Sequence, residues 1–538
     1  MPAVMDQDLQ AVQEVRSAIA KAHAAFLQYK EFSQAEVDRV VAAMAEAGFK
    51  ESARVARMAV EETGYGKIGD KTIKNQFGSR DVYESIKDLK TVGVIREDTK
   101  KKIIEIAEPM GVVAAIIPTT NPTSTAFYKI LISLKARNAI VISPHPRAKN
   151  CIQEAAHVMR KAAEAAGAPG DLIQCLSIPA QEGTNELMRH HDTAVILATG
   201  GSAMVRAAYS AGKPAYGVGP GNVPVYIDRS ADIVKAVSDA VAGKTFDWGT
   251  LCSSEQALVV DAPVADRVIE ELKKQKAYFL NEDETTRVGK VLVTPEFRIN
   301  AEMVGQAPQK IASAAGFSVP EDVRVLVARL QGVGKQFPLS AEKLSPVLSL
   351  YIEDGWEKGC ERCIELLNFG GRGHTLAIHC ENKDIIMQFG LKKPAFRILV
   401  NTPAAIGAVG YTTDLDPSMT LGCGSFGGNI TSDNIGPVHL MNIKRVAWET
   451  KPLSMSRDTH SWRPTISTKA QRSADFPYQK ALSSDVSRKG APKTSEAVSA
   501  AKTSDDAAAH SEQKYGTSGM SASQVDEVVR TFLKSRHQ

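Results

Sequence analysis

Seven cysteines in 538 residues are too few, and odd in number, for a disulfide framework. No run approaches the ~18–20 apolar residues that a membrane span requires. The opening MPAVMDQDLQ lacks the pattern of a secretory leader. These absences give the expectation of a cytoplasmic protein with no membrane partner. Charge of one sign is also missing: the formal net charge is only +4. Residues 451–538 hold 14 basic and 9 acidic side chains, which leaves 51 basic and 52 acidic in the rest. A nucleic-acid enzyme would carry a basic face on its folded body, so nucleic acid is not an expected partner. What remains is an ordinary soluble composition, 43% hydrophobic and 23% charged, in a chain long enough for two or three domains.

Residues 7–64 read as helix. DLQAVQEVRSAIAKAHAAFLQY and FSQAEVDRVVAAMAEAGF both have helical periodicity, and Ser33 is placed to cap the second. IIEIAEPMGVVAAIIPTTNP then switches to Ile- and Val-rich runs broken by Pro and Gly, the pattern of strands and a loop. NAIVISP precedes the helical AKNCIQEAAHVMRKAAEAAG, and TAVILATGG precedes SAMVRAAYSAG. A second alternating set contains QALVVD, KVLVT, ARLQGVG, TLAIHC and FRILVNTP, all read as strands. Short apolar strands alternating with helices predict an α/β fold with parallel sheets covered on both faces.

Among residues able to carry chemistry, Cys252 stands in the polar loop of KTFDWGTLCSSEQALVV. A cysteine there is reactive only if its surroundings favour the thiolate. Asn121, in the Pro-bounded IIPTTNPTST, could donate to an oxyanion together with the Cys252 backbone N–H, although alone it reads as a turn residue. TAVILATGGSAMVRAA is a strand, a Gly pair and a helix start, a junction whose backbone N–H groups suit a phosphate. GCGSFGG at 422–428 matches a dinucleotide fingerprint in letters, but neither a strand precedes it nor a helix follows, so it reads as a loop. Cys360 and Cys363 lie in a helical segment without a second pair, and His190 and His191 have no third ligand nearby in the sequence. No metal site is expected.

Taken in order, PTTNPTSTAFYKILISLKARNAIVISPHPRA, ILATGG, GVGPGNVPVYIDRSADI, KTFDWGTLCSSEQ, EKLSPVL, GGRGHTLAIH and TLGCGSFGGNITSDNIGP resemble the aldehyde dehydrogenase superfamily, and within it the CoA-acylating branch. The likeness runs from about residue 8 to about residue 450. It implies a Rossmann-like NAD-binding domain over 7–222 and a catalytic domain over 223–430. It also implies a small oligomerisation arm from strand 102–110 and residues 431–450. Cys252 would be the nucleophile, with Asn121 in the oxyanion hole. NAD, rather than NADP, would lie over Ile117, Pro118 and Thr119 and over Ser143, Pro144 and His145. Its phosphates would pass Thr199, Gly200 and Gly201, and Glu342 would hold the nicotinamide ribose.

Two departures from the hydrolytic members of the family bear on the reaction. Where those enzymes carry a water-activating glutamate, this chain reads YGVGPGNVP, with Val218 at that position and Gly219 after it. Without that base, neutral water loses ~10²–10⁴ in rate, and a thiol is the better nucleophile. The acyl group is therefore expected to pass to coenzyme A, entering the cleft that the nucleotide vacates. Where the family has Lys-x-x-Glu at the adenosine ribose, this chain has Ser143-Pro144-His145-Pro146. The expected substrate is a short aldehyde such as acetaldehyde or propionaldehyde. Alternatives are another aldehyde such as sulfoacetaldehyde, a hydrolytic NAD(P) dehydrogenase, or a non-catalytic shell cargo, which would have lost Cys252 or Asn121.

Residues 451–519 are rich in Ser, Thr, Ala, Lys and Pro and read as a disordered linker. In SASQVDEVVRTFLKSRHQ, Val525, Val528, Val529, Phe532 and Leu533 form one helical stripe, with Ser523 as cap. Residues 520–538 resemble the encapsulation helix of microcompartment enzymes, which implies shell proteins as partners and a location inside a bacterial microcompartment. The family also implies a homo-oligomer.

Overall fold

Ser33 starts the helix Gln34–Lys50 through a capping box: its hydroxyl accepts the Glu36 N–H, and Glu36 reaches back to the Ser33 N–H at 2.8 Å. The helix before it spans Gln7–Tyr29 and buries Val15, Ile19 and Ala22 on one face. A third helix, Ser52–Thr63, ends at Gly64 with φ 71°, a left-handed stop that glycine adopts without strain. The computed structural model describes residues 6–451 and Pro464, all within the unit Met1–Thr465. The linker over 452–519 (Pro464 apart) and the stripe over 520–538 lie outside the described residues.

Two parallel sheets carry the fold, as the alternating pattern predicts. The first has five strands in the spatial order Ile173–Cys175, Ala139–Pro144, Val112–Ile117, Thr193–Thr199, Ala215–Val218. Every residue of its central strand VVAAII is buried, which explains the unbroken apolar run. The second has seven strands: Ala277–Phe279, Val325–Arg329, Val347–Glu353, Glu255–Asp261, Val223–Ile227, Gly373–His379 and Ala395–Val400. A small antiparallel sheet joins Gly93–Asp98, Ile103–Pro109 and Met441–Ala447, with Met441 opposite Pro109 and Ala447 opposite Ile103. Among the described residues no helix is long and apolar enough to cross a membrane.

Two expected strands are not found as read: of ARLQGVG only Ala328 and Arg329 are extended, closing the strand Val325–Arg329, and KVLVT is not a strand at all. KVLVT does not extend; Lys290 to Leu292 close the helix Glu282–Leu292, and Val293 makes only a single bridge to Ile299. The reason lies upstream. Asn281 and Glu284 form a capping box, and Val288 and Leu292, one turn apart, are both buried. Helix nucleation overrides the strand preference of the two valines.

Candidate functional site

The five-stranded sheet reverses its winding between Val112–Ile117 and Thr193–Thr199, and in such sheets the ligand crevice lies outside the strands' carboxyl ends. Those ends lead into Pro118 and Thr119 on one side and Gly200 and Gly201 on the other. Gly201 caps the helix Ser202–Tyr209 with no side-chain bond, so the first-turn N–H groups face outward unclaimed by a cap. The space where a Cβ on Gly201 or Gly219 would stand is open. Lys129, wholly buried, ties the two strands by donating to the carbonyls of Ile116 (2.8 Å) and Leu197 (2.9 Å). Burial drives its pKa well below the usual lysine range. Ser143 is buried with its hydroxyl 2.8 Å from Thr184 Oγ1, whereas His145 is exposed at the rim and accepts the Arg147 N–H. An open backbone cradle at a helix start, set at a sheet's switch point, fits a dinucleotide diphosphate.

The amino ends of the seven-stranded sheet face the chemistry. Cys252 sits just before the strand Glu255–Asp261, and Gly221 just before Val223–Ile227. A Cβ on Gly221 would overlap the Cys252 carbonyl oxygen and lie 3.3 Å from His374 Cγ. Glycine there lets three loops close on one point. Upstream, Asp247 (φ 48°) and Trp248 (φ 52°) both hold left-handed backbone, a conformation costing ~1–2 kcal/mol for each side-chain-bearing residue. The contacts of Asp247, given below, hold this turn.

Cys252 keeps part of its surface open to solvent. The protein packed around it nevertheless pushes the thiol up to about 12, and Glu342 and Cys423 add to the shift. Arg397 and the residue's own backbone N–H act the other way. Arg397 is buried and gives its donors to Asn434 Oδ1 (2.7 Å) and to the carbonyls of Gly422 (2.9 Å) and His374 (3.2 Å), not to a carboxylate. Its positive charge therefore stays available to an anion. Glu342 accepts the Gly221 N–H at 3.1 Å, and burial lifts its pKa to about 7 against the pull of Lys244 and Lys343. Val218 ends its strand buried and apolar, so that strand brings no carboxylate to the cysteine.

Asn121 caps the helix Pro122–Lys135 by position, yet its side chain makes no capping bond. Instead its Oδ1 accepts from Lys74 Nζ at 2.6 Å, and Lys74 also reaches Asp247 and Thr250 Oγ1 (3.3 Å). The structure thus ties Asn121 to the Cys252 loop through a residue that the sequence pattern does not mark. Beside it lies a narrow cavity lined by Ile73, Phe77, Phe246, Leu251, Ile406 and Tyr411, with Lys74 contributing its stem. The helix Ile68–Gln76 passes into a π-turn over Phe77–Asp81 at this wall, a widening common near functional sites.

His374 is the second unmarked residue. It is fully buried, Nδ1 lies 2.9 Å from Thr375 Oγ1, and Nε2 has no partner among the described residues. Burial and Arg397 together lower its pKa to about 3, so the ring is neutral. Its signal in the sequence was a histidine opening an otherwise apolar strand, GHTLAIH. Elsewhere, the view that His190 and His191 lack a neighbouring ligand needs correction. Asp192 supplies one, with all three ligand atoms within 4.8 Å of one another. Cys360 and Cys363 are buried in the helix Trp356–Phe369, where Cys360 contacts Lys393 Nζ. The segment 422–428 is a loop with one 3₁₀ turn, Ser425–Gly427.

Residues 3–316 match the aldehyde dehydrogenase family. The bifunctional aldehyde-alcohol dehydrogenase of Escherichia coli K12 is 46% identical over 441 residues, which are 81% of this chain and 49% of that protein. The chain thus spans about half the length of the curated relatives it first matches. The crystal structure of an acetylating aldehyde dehydrogenase from Geobacillus thermoglucosidasius is 53% identical with a TM-score of 0.83, covering 84% of this chain and 100% of that one. A propionaldehyde dehydrogenase from the fucose utilisation microcompartment of Clostridium phytofermentans is 26% identical, with a TM-score of 0.74 and coverage of 81% and 97%. The propionaldehyde dehydrogenase of Rhodopseudomonas palustris, solved with bound CoA and an acylated cysteine, is 27% identical, with a TM-score of 0.73 and the same coverage. With a switch-point cradle, a part-exposed loop cysteine and these likenesses, the chain belongs to the aldehyde dehydrogenase family.

Proposed function

We propose that this protein oxidises a short aldehyde to its acyl-CoA, with Cys252 as the nucleophile and NAD as the hydride acceptor. The observation that carries the reading is Val218, buried and apolar at the end of the strand that leads into Gly221 and the Cys252 loop. A thioester formed there meets no carboxylate from that strand to activate water, and a thiol takes the acyl group instead. Cys252 adds to the carbonyl carbon, and Asn121 with the Cys252 N–H faces the oxygen as it gains charge. NAD, when bound, takes up the hydride that converts the adduct to a thioester. Glu342, already on the Gly221 N–H, is placed to orient the nicotinamide ribose. NAD is preferred over NADP because Arg147, the cation near the adenosine end, is engaged by Glu302 at 3.1 Å.

The apolar cavity wall suits an unfunctionalised chain of two or three carbons. Its one cation, Lys74, already faces Asp247, so an anionic aldehyde finds no free counter-charge. We further propose that the chain self-associates through the three-stranded sheet, whose neighbourhood exposes Val94, Val446 and Trp448. Residues 520–538 serve as the address to a microcompartment shell.

Purified enzyme given propanal and NAD should release about one equivalent of NADH per site, then turn over steadily only once CoA is added. Steady NADH formation without CoA would defeat the acylating assignment in favour of hydrolysis. Removing residues 520–538 should leave that activity unchanged and abolish co-purification with co-expressed shell proteins. Unchanged co-purification would remove the targeting role.

A further inference from the structure

A cluster of charged side chains is buried where no solvent can neutralise it. Lys71 and Lys74 converge on Asp247, and all three side chains are 4% exposed or less. Asp247 also accepts the Lys67 N–H (2.7 Å) and the Thr250 hydroxyl (2.7 Å), and its own N–H donates to Asp70. Lys71 donates to the Thr120 carbonyl at 3.1 Å. Burying such a group is costly unless its geometry serves something. The cluster touches both halves of the site: Thr120 and Asn121 on one side, and Asp247 and Thr250 of the cysteine loop on the other.

We infer that Lys74 is a positioning residue for the oxyanion site, fixing the side-chain amide of Asn121 in the one orientation that can donate. A lysine Nζ only donates, so the atom 2.6 Å from it must be the Asn121 oxygen. The amide is then turned with Nδ2 on the opposite side, and that nitrogen has only Thr120 Oγ1, at 3.2 Å, as a partner. A second proton on Nδ2 remains for a substrate oxygen. Hydrogen bonding to the amide oxygen also polarises the group and strengthens its N–H as a donor. Asp247 holds Lys74 in register with the same loop that carries Cys252. Without Lys74 the amide can rotate by half a turn at little cost and present oxygen to oxygen, which repels the developing charge.

This inference rests on the reading of Asn121 as an oxyanion donor, and the experiment separates the two. The readouts are the single-turnover NADH burst with propanal and saturating NAD, and the alkylation rate of Cys252 by iodoacetamide. Burial, Glu342, Cys423 and Arg397 are what chiefly shift Cys252, so alkylation should stay within about twofold in every variant. Asn121→Ala should slow the burst ~10²-fold, and Lys74→Met about 10-fold or more. The double variant should be no slower than Asn121→Ala by more than about twofold, because a positioning residue has nothing left to position. Asp247 keeps Lys71, Thr250 and the Lys67 N–H, which protects the Lys74→Met fold. Should that variant not fold, Lys74→Gln, whose amide can still donate to Asn121, should retain most of the burst; a loss equal to that of Asn121→Ala overturns the inference. Multiplicative losses, or a normal burst in Lys74→Met beside a slow Asn121→Ala, overturn the positioning role alone. A normal burst in Asn121→Ala overturns both it and the oxyanion reading.

Discussion

Cys252→Ala should form no NADH from propanal at any CoA concentration, a loss of at least ~10⁴-fold, since each later step needs the carbon–sulfur bond. The thiol's surroundings sharpen this expectation. Burial, Glu342 and Cys423 push it up to about 12, so in the unliganded enzyme the sulfur is held as the thiol at neutral pH. Iodoacetamide should therefore label Cys252 slowly at neutral pH, and the rate should rise about tenfold per pH unit from 7 to 9 without a plateau. The sign follows from the cause. A thiol raised by burial gains thiolate over the whole range below its own pKa, whereas a thiol lowered by cations would level off early. Arg397, with no carboxylate partner of its own, is the standing positive charge that favours the anion once the thiol's proton has a destination. Turnover of Cys252→Ala within tenfold of the parent enzyme would remove the covalent mechanism. A labelling plateau below pH 8 would contradict the environment described here.

What could be read from the sequence is what is encoded locally. Ser33 with Glu36 announces a helix start within four residues, and VVAAII announces a strand buried on both faces. Gly200 and Gly201 after TAVILAT mark a strand end that approaches a ligand. Cys252 stands out because serine would be the ordinary residue in such a loop. Where local signals compete, the reading fails: the valines of KVLVT favour a strand, but the Asn281–Glu284 box upstream has already nucleated a helix. The residues missed altogether are those whose meaning comes from distant partners. Lys74 meets Asn121 across 47 positions and Thr250 across 176. In the sequence GDKTIKNQFGSRD it is one lysine on a polar helix, indistinguishable from solvated neighbours. Lys129 looks like a charge on an amphipathic helix, although every residue of Pro122–Lys135 is buried. Asp192, beside His190 and His191, carries no signal in the sequence, because a lone carboxylate on a loop gains meaning only from the direction in which it points.

His374→Asn should leave the NADH burst intact and slow CoA-dependent turnover by ~10²-fold or more. The argument starts from an unsatisfied atom. His374 is fully buried, and its Nε2 has no hydrogen-bond partner among the described residues, an arrangement that costs ~1–3 kcal/mol unless something arrives to fill it. Its ring stands beside Gly221, the glycine that also packs against the Cys252 carbonyl, so it borders the cysteine loop. In the tautomer whose Nδ1–H donates to Thr375 Oγ1, 2.9 Å away, Nε2 is the acceptor. An acceptor there can take a hydrogen bond from the S–H of an incoming thiol and aim its sulfur at the acyl carbon, the proton passing to the departing Cys252 sulfur. It has no task while the aldehyde is being oxidised, because that half of the cycle involves Cys252 and Asn121. The two halves should therefore separate in the variant: a normal burst of one equivalent, then a slow steady state that higher CoA concentrations do not restore. The pH dependence provides an independent check. Burial and Arg397 hold the imidazole pKa at about 3, so it stays neutral from pH 5 to 9 and should leave no inflection near 6.5 in the acyl-transfer rate. An inflection there that vanishes in His374→Asn would mean the ring titrates in solution-like surroundings. Loss of the burst itself would move His374 from acyl transfer to the building of the cysteine loop.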